Sequence, residues 1–137
     1  RAGDDDIELN FNTVIDRYLY RYGETPVRAF SLHLDDCDNS VLTGVKLTFK
    51  GTESTELPGF LAFDGGSTAS GVAVGLQTAG GQPLPINDTS GMSLALPSGN
   101  LIIPLQAYLK AEPTAQNTQA IELGNFKATA EFLLTYQ

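Results

Sequence analysis

Few residues in this chain have side chains suited to acid–base, nucleophilic or metal chemistry, and fewer are spaced so that they could cooperate. His33 is the one histidine and Cys37 the one cysteine. A general base must reach the proton it takes. His33 falls in an alternating stretch in which Phe30, Leu32 and Leu34 take one face and Ser31, His33 and Asp35 the other. It is therefore expected to point away from the core, with no serine or cysteine nucleophile implied beside it. Asp4-Asp5-Asp6 could attract a cation, yet the run lacks the spaced ligands and turn glycine of a calcium loop. Gly65-Gly66 and Gly80-Gly81 invite a phosphate-loop reading, but neither is followed by the lysine or helix N-terminus that phosphate cradling requires. Both pairs are read as hairpin turns. Asn87-Asp88-Thr89 matches a glycosylation acceptor, a tripeptide common by chance and meaningful only in a eukaryotic secreted protein. Tyr18, Tyr20 and Tyr22, with Asp16, are the one candidate platform for stacking on a sugar, in a chain without tryptophan. No catalytic site, metal site or cofactor is expected, and the chain does not read as an enzyme.

Composition narrows the class further. The chain has 137 residues, expected to form a single domain over 1–137 with room for a core. Fourteen Gly and seven Pro punctuate it often, which suits short strands better than long helices. Sixteen acidic residues against eight basic ones give a net charge of −8. That excludes the clustered positive charge on which nucleic-acid binding depends. No apolar run is long enough for a membrane helix, and the start has no signal-peptide pattern. A lone Cys37 fits either a small buried side chain or a thiol whose partner is missing.

Period-two patterning predicts the elements. Ile7, Leu9 and Phe11 suggest a short edge strand, and Val27 to Cys37 a clear second one. Val45, Leu47 and Phe49 mark a third. Phe60 to Phe63, Gly71 to Thr78 and Leu94 to Pro97 read as further short strands. Leu101 to Ala111 is a long strand in which Pro104 favours an edge position or a bulge. Thr13 to Thr25 is ambiguous. Val14, Ile15, Tyr18, Leu19 and Tyr22 permit a helical stripe, but the alternating tyrosines, with Gly23 and Pro26 beyond, favour a loop or irregular strand. Glu112 to Gln119 reads as a polar loop around Pro113, and Ile121 with Leu123 leads into the last strand. About eight strands and no helix make an antiparallel β-sandwich.

The most regular strand closes the chain. Phe126, Ala128, Ala130, Phe132, Leu134 and Tyr136 alternate with Lys127, Thr129, Glu131, Leu133 and Thr135, the signature of one buried face. The sequence stops there with no turn after it, so the strand is expected to have something beside it.

The ending G-N-F-K-A-T-A-E-F-L-L-T-Y-Q, with its penultimate Tyr136, resembles the subunits of bacterial chaperone–usher pili (fimbrial proteins). So do V-R-A-F-S-L-H-L-D-D-C-D ending on Cys37, G-V-K-L-T-F-K-G, G-V-A-V-G-L-Q-T-A-G-G-Q-P-L-P-I-N and L-I-I-P-L-Q-A-Y-L-K-A, in the family's order over roughly residues 7 to 137. The resemblance implies an incomplete immunoglobulin-like sandwich lacking its last strand, completed by a donor strand from another chain. The groove-facing residues would be Phe126, Ala128, Ala130, Phe132, Leu134 and Tyr136.

The partners implied are a periplasmic chaperone, an outer-membrane usher and neighbouring subunits through their N-terminal extensions. The place implied is an extracellular fimbrium reached through the periplasm, and the terminal carboxylate of Gln137 would dock on basic residues of the chaperone. Family members begin with an alternating donor extension and a first cysteine that pairs with the position of Cys37. Neither precedes Ile7 here, so Cys37 is expected to be a free thiol left by truncation. A carbohydrate-binding adhesin domain on the same sandwich, built around the tyrosine cluster, is the alternative.

Overall fold

The computed structural model describes residues 6–9, 16–37, 39–40, 43–122 and 124–137. Asp4, Asp5, Phe11, Val14, Ile15 and Leu123, named above, lie outside them. Along the chain come β1 (Asp6–Leu9), α1 (Asp16–Tyr22), β2 (Arg28–Cys37), β3 (Gly44–Lys50) and β4 (Val72–Thr78). They are followed by β5 (Met92–Ala95), β6 (Gly99–Ala111), α2 (Pro113–Thr118) and β7 (Ala128–Tyr136). The strands form two antiparallel sheets, ordered β1-β7-β3-β5 and β2-β6-β4. Alternation places Val45, Leu47 and Phe49 of one sheet, and Leu32, Leu34, Ile103, Leu105 and Leu109 of the other, in the buried core. Burying each such side chain stabilises the fold by roughly 1.5–3 kcal/mol. His33, in register with Ile102, is exposed as expected.

Strand β4 departs from the alternation, because Ala73 and Gly75 are buried along with Val72, Val74 and Leu76. Its outer face is roofed by an aromatic pair, Phe60 and Tyr108, packed edge to face with centroids 5.9 Å apart. A Cβ on Gly75 would lie 2.6 Å from Tyr108 Cζ and 2.7 Å from Phe60 Cε2, so glycine lets the rings rest on the backbone. Burial pushes the Tyr108 phenol up, and the Glu24 carboxylate adds to the shift. The edge of β4 is covered as well. Leu61 exchanges backbone hydrogen bonds with Val74 at 2.8 and 2.9 Å, while Leu84 donates to Leu76 O and Thr78 to Gln82 O. Gly81, at φ 90°, turns the chain between them, as the glycine pair predicted.

Three expectations need correction. The described residues hold seven strands rather than about eight, since Phe60 to Phe63 contributes isolated bridges at Leu61 and no strand. Asp16–Tyr22 is a helix, not a loop or irregular strand. Its Leu19 is fully buried, and Gly23, at φ 79°, donates to Leu19 O at 2.8 Å to close the last turn. Pro113–Thr118 is also helical. Proline supplies the right φ at the first turn, and Glu56, from a distant loop, accepts the Thr114 N–H at 2.8 Å. Gln116 then reaches back from α2 to the carbonyls of Leu19 and Tyr20.

The two loops flanking β4 are tied together by Asn87, at φ 62°. Its Nδ2 donates to Gly51 O and to Glu53 Oε2, both at 2.9 Å, and its Oδ1 accepts the Gly51 N–H. The side chain of the acceptor tripeptide is thus spent on holding loops. Glu53 Oε1 also accepts the Gly59 N–H at 2.7 Å. The bond from Asn87 and then that from Gly59 hold the Glu53 carboxyl below its ordinary value.

Two predictions follow from this packing. Gly75→Ala should destabilise the domain by about 1–3 kcal/mol through overpacking, read as a lowered midpoint in urea. Because the Glu53 pKa is depressed on folding, its contribution is present above the ordinary Glu value of about 4.3. It is lost as pH falls through the lowered folded value. Glu53→Gln should therefore flatten the acid limb of a melting-temperature-against-pH profile, and an unchanged limb would count against the clamp.

Candidate functional site

The closing strand lies inside its sheet. Strand β3 pairs with it from Val45↔Tyr136 to Lys50↔Glu131, and β1 pairs on the other flank from Asp6↔Glu131 to Leu9↔Ala128. The strand expected to have something beside it thus has a strand of its own chain on each flank over part of its length. These pairings join residues far apart in sequence, which local alternation cannot reveal.

In a strand, successive backbone groups point to opposite edges as successive side chains point to opposite faces. Gln137 exchanges hydrogen bonds with Gly44 at 2.8 and 3.0 Å, so the odd-numbered groups of β7 face β3. Upstream of β3 the same edge is served by side chains. Asp64 accepts the Thr129 N–H at 3.1 Å and its hydroxyl at 2.6 Å. Ser67 Oγ accepts the Lys127 N–H, and Thr68 Oγ1 the Asn125 N–H. Asp64 N–H donates in turn to Lys127 O at 2.7 Å. The Asp64–Ser70 run is therefore a surrogate strand made of short polar side chains. Sequence reading saw only the Gly65-Gly66 turn, although Asp, Ser and Thr in close succession were a usable signal.

Even-numbered groups face the opposite flank. Those of Ala128 and Ala130 meet β1 through Leu9 and Ile7. Those of Phe132, Leu134 and Tyr136 have no strand beside them among the described residues. The same even residues carry the inward side chains. Phe126, at 2% exposure, precedes the strand and stacks on Phe63 with centroids 4.2 Å apart. Ala128, Ala130 and Phe132 are buried, Leu134 is half-buried against the core, and Tyr136 is 40% exposed. Of the six residues named from sequence, four are core side chains of this sandwich. Leu134 and Tyr136 remain partly accessible.

The other candidates lie elsewhere. Cys37 is half-buried after a bulge in β2, its Sγ 4.0 Å from Leu34 O. Gln137 is exposed. Helical geometry rotates successive residues by about 100°, so Tyr20 and Tyr22 lie nearly opposite each other around the helix and do not share a face. The Tyr20 hydroxyl accepts the Ile121 N–H at 2.9 Å, a structural duty. Tyr22 is exposed, with the Arg21 guanidinium 5.4 Å from its ring centroid.

Comparison with known proteins gives this sandwich its family. The profile described as "Fimbrial protein" matches residues 1–137. The chain belongs to the fimbrial protein family. It is 35% identical over 126 residues to the fimbrial-like protein YfcP of Escherichia coli K12, an alignment spanning 92% of this chain and 70% of that protein. It is 34% identical to the fimbrial adapter PapK of Escherichia coli, over 88% of this chain and 69% of PapK. Among solved structures, the P pilus rod subunit PapA superposes with a TM-score of 0.76 at 24% identity, over 99% of this chain and 94% of PapA, a likeness of fold. The fimbrial family is the one that the closing motif and strand order resembled.

The split along β7 is measurable. Phe132→Ala should cost about 3–5 kcal/mol in the isolated chain, whereas Tyr136→Ala should stay within about 0.5–1 kcal/mol, both read from urea unfolding. Equal losses would contradict the placement of Tyr136.

Proposed function

We propose that this structural subunit of a surface pilus accepts an extended segment of another chain along the β1-side flank of β7. One observation carries the reading. The even-numbered backbone groups of Phe132, Leu134 and Tyr136 face a flank with no strand among the described residues, on a strand whose inward side chains build the core. An unpaired sheet edge is a template for β-augmentation, in which main-chain hydrogen bonds give affinity and alternate side-chain positions give specificity.

In this reading the neighbouring subunits supply the segment through their N-terminal extensions, and a periplasmic chaperone supplies it earlier. Delivery runs through an outer-membrane usher to an extracellular fimbrium. Phe126, Ala128, Ala130, Phe132, Leu134 and Tyr136 line the acceptor, the first four from within the core. Gln137, exposed beside Gly44, offers its carboxylate to basic residues of the chaperone. Cys37 is the disulfide candidate, its partner the first cysteine of such subunits, which this sequence does not contain. The role is structural rather than enzymatic, and residues 1–137 act as one pilin domain.

Thermal melting with a synthetic segment of about nine residues, alternating valine or isoleucine with threonine or lysine, tests the reading. At a peptide concentration of 100 times Kd the added stability is about 2.7 kcal/mol, which raises Tm by roughly 10 °C for a domain of this size. A melting temperature indifferent to the peptide at millimolar concentration would sink the acceptor reading.

A further inference from the structure

Two exposed apolar side chains stand at opposite ends of one sheet face. Ile102, 57% exposed, lies at one end in register with His33. Val27, 45% exposed, lies at the other, one residue before the Arg28↔Ala107 pair and so beside Tyr108. Between them the outward positions of β2 and β6 are Ala29 with Gln106 and Ser31 with Pro104. We propose that this face of the β2-β6-β4 sheet is a self-contact, on which a second copy of the chain packs face to face, turned end for end.

Shape favours a second copy as the occupant. Ile102 stands out from β6 about 20 Å from Tyr108, six residues further along the same strand. At the Tyr108 end, Pro58, Phe60, Pro85 and Tyr108 line a cleft of about 50 Å³ over Gly75. A two-fold axis in the plane of the contact, crossing β6 between Pro104 and Gln106, carries each Ile102 onto the other copy's Tyr108 and its cleft. The same turn sets Val27 against His33, Ala29 against Ser31, and Gln106 against Pro104. A face that bears both the projection and the recess is self-complementary, as an isologous interface requires. The small residues at its centre let two sheets approach to the packing distance of about 10 Å.

Charge points the same way. Over these four rungs the outward positions hold no carboxylate, lysine or arginine. The outer face of the other sheet carries Lys46, Lys50 and Glu131, and the chain has a net charge of −8. Copies therefore repel one another over much of their surface and meet without that repulsion here. Just beyond the rungs, the turn brings Lys110, bridged to Glu24 of its own chain, to the same end as the other copy's Asp35. Lys110 is then the one cation between two carboxylates, at a solvent-exposed rim where such pairs add little.

Eight outward residues on each copy are fewer than the roughly 20–30 a side of a stable interface. The contact is therefore weak between free subunits, with a Kd of about 0.1–1 mM. Copies arrayed along a fibre add such contacts together, which would draw fibres side by side. The contact lies on the sheet that does not contain β7, so it stands independently of the acceptor reading.

Sedimentation equilibrium of the chain from about 10 μM to 1 mM measures the association. Ile102→Asp should weaken it about tenfold or more and leave the urea midpoint unchanged, since the side chain is already exposed. The turn is tested by comparing Val27→Glu/His33→Lys with Val27→Glu/His33→Glu. With positions 27 and 33 facing each other between copies, the first variant pairs opposite charges and the second like ones. The first should then associate about two- to fivefold more tightly. Without the turn both variants oppose like charges and the difference closes. A monomer across the whole range, association indifferent to Ile102→Asp, or no difference between the double variants would each overturn the proposal.

Discussion

The arrangement depends on one geometric coupling in β7. A strand residue that turns its side chain inward turns its backbone to one fixed edge, and on β7 that edge is the one beside β1. The residues that fill the core are thus the residues whose peptide groups look toward the flank beside β1. Odd-numbered groups are satisfied in two ways, by β3 from Gly44 onward and by the side chains of Asp64, Ser67 and Thr68. Core and sheet edge are therefore one structure. A change that loosens Phe132 also moves the peptide groups a partner would bind.

The irregular segments hold that strand in place by exchanging capping groups over long sequence distances. Gln116 serves the carbonyls at the end of α1, Glu56 serves the start of α2, and the Tyr20 hydroxyl serves Ile121 just before the closing segment. Phe63 stacks on Phe126 one turn of chain after Leu61 has covered β4. Each bond adds only about 0.5–1.5 kcal/mol. Their joint effect is to fix the path by which the chain enters β7, and hence which parity faces in.

Local alternation was enough to read β2, β3, β6 and β7, because each has one face on the core and period two survives along it. It found β4 as well, with Val72, Val74 and Leu76 buried, but not the burial of its second face under Phe60 and Tyr108. It failed at Phe60 to Phe63, where Phe60 is part of that roof. At Asp16–Tyr22 two periodicities competed. The outcome was set by Gly23 closing the turn, Leu19 entering the core and Gln116 arriving from far along the chain. Pro113 at the head of α2 was a helix-start signal that its polar neighbours masked. Of the six alternate residues named on the closing strand, Phe126, Ala128, Ala130 and Phe132 are buried, Leu134 is half-buried and Tyr136 is exposed. Which flank their backbone faces followed only from pairing with Gly44 and β1, which no single-strand pattern encodes. On the helix, Tyr20 and Tyr22 turn to opposite sides, which their alternation in sequence had placed on one face.

Pro104 sits opposite Ser31, one residue past the last β4 pairing at Thr78↔Leu105. Even-numbered groups of β6 face β4, so the N–H that proline lacks would have pointed to the side where β4 has already ended. Strand β6 is central in its sheet, and only this part of it, beyond the end of β4, is unpaired on one side. Its consequence concerns self-association more than folding. A stretch of strand that cannot donate at its midpoint is a poor seed for sheet growth between molecules. The β2-β6-β4 sheet thereby carries a stretch that chance pairing between molecules cannot easily zip.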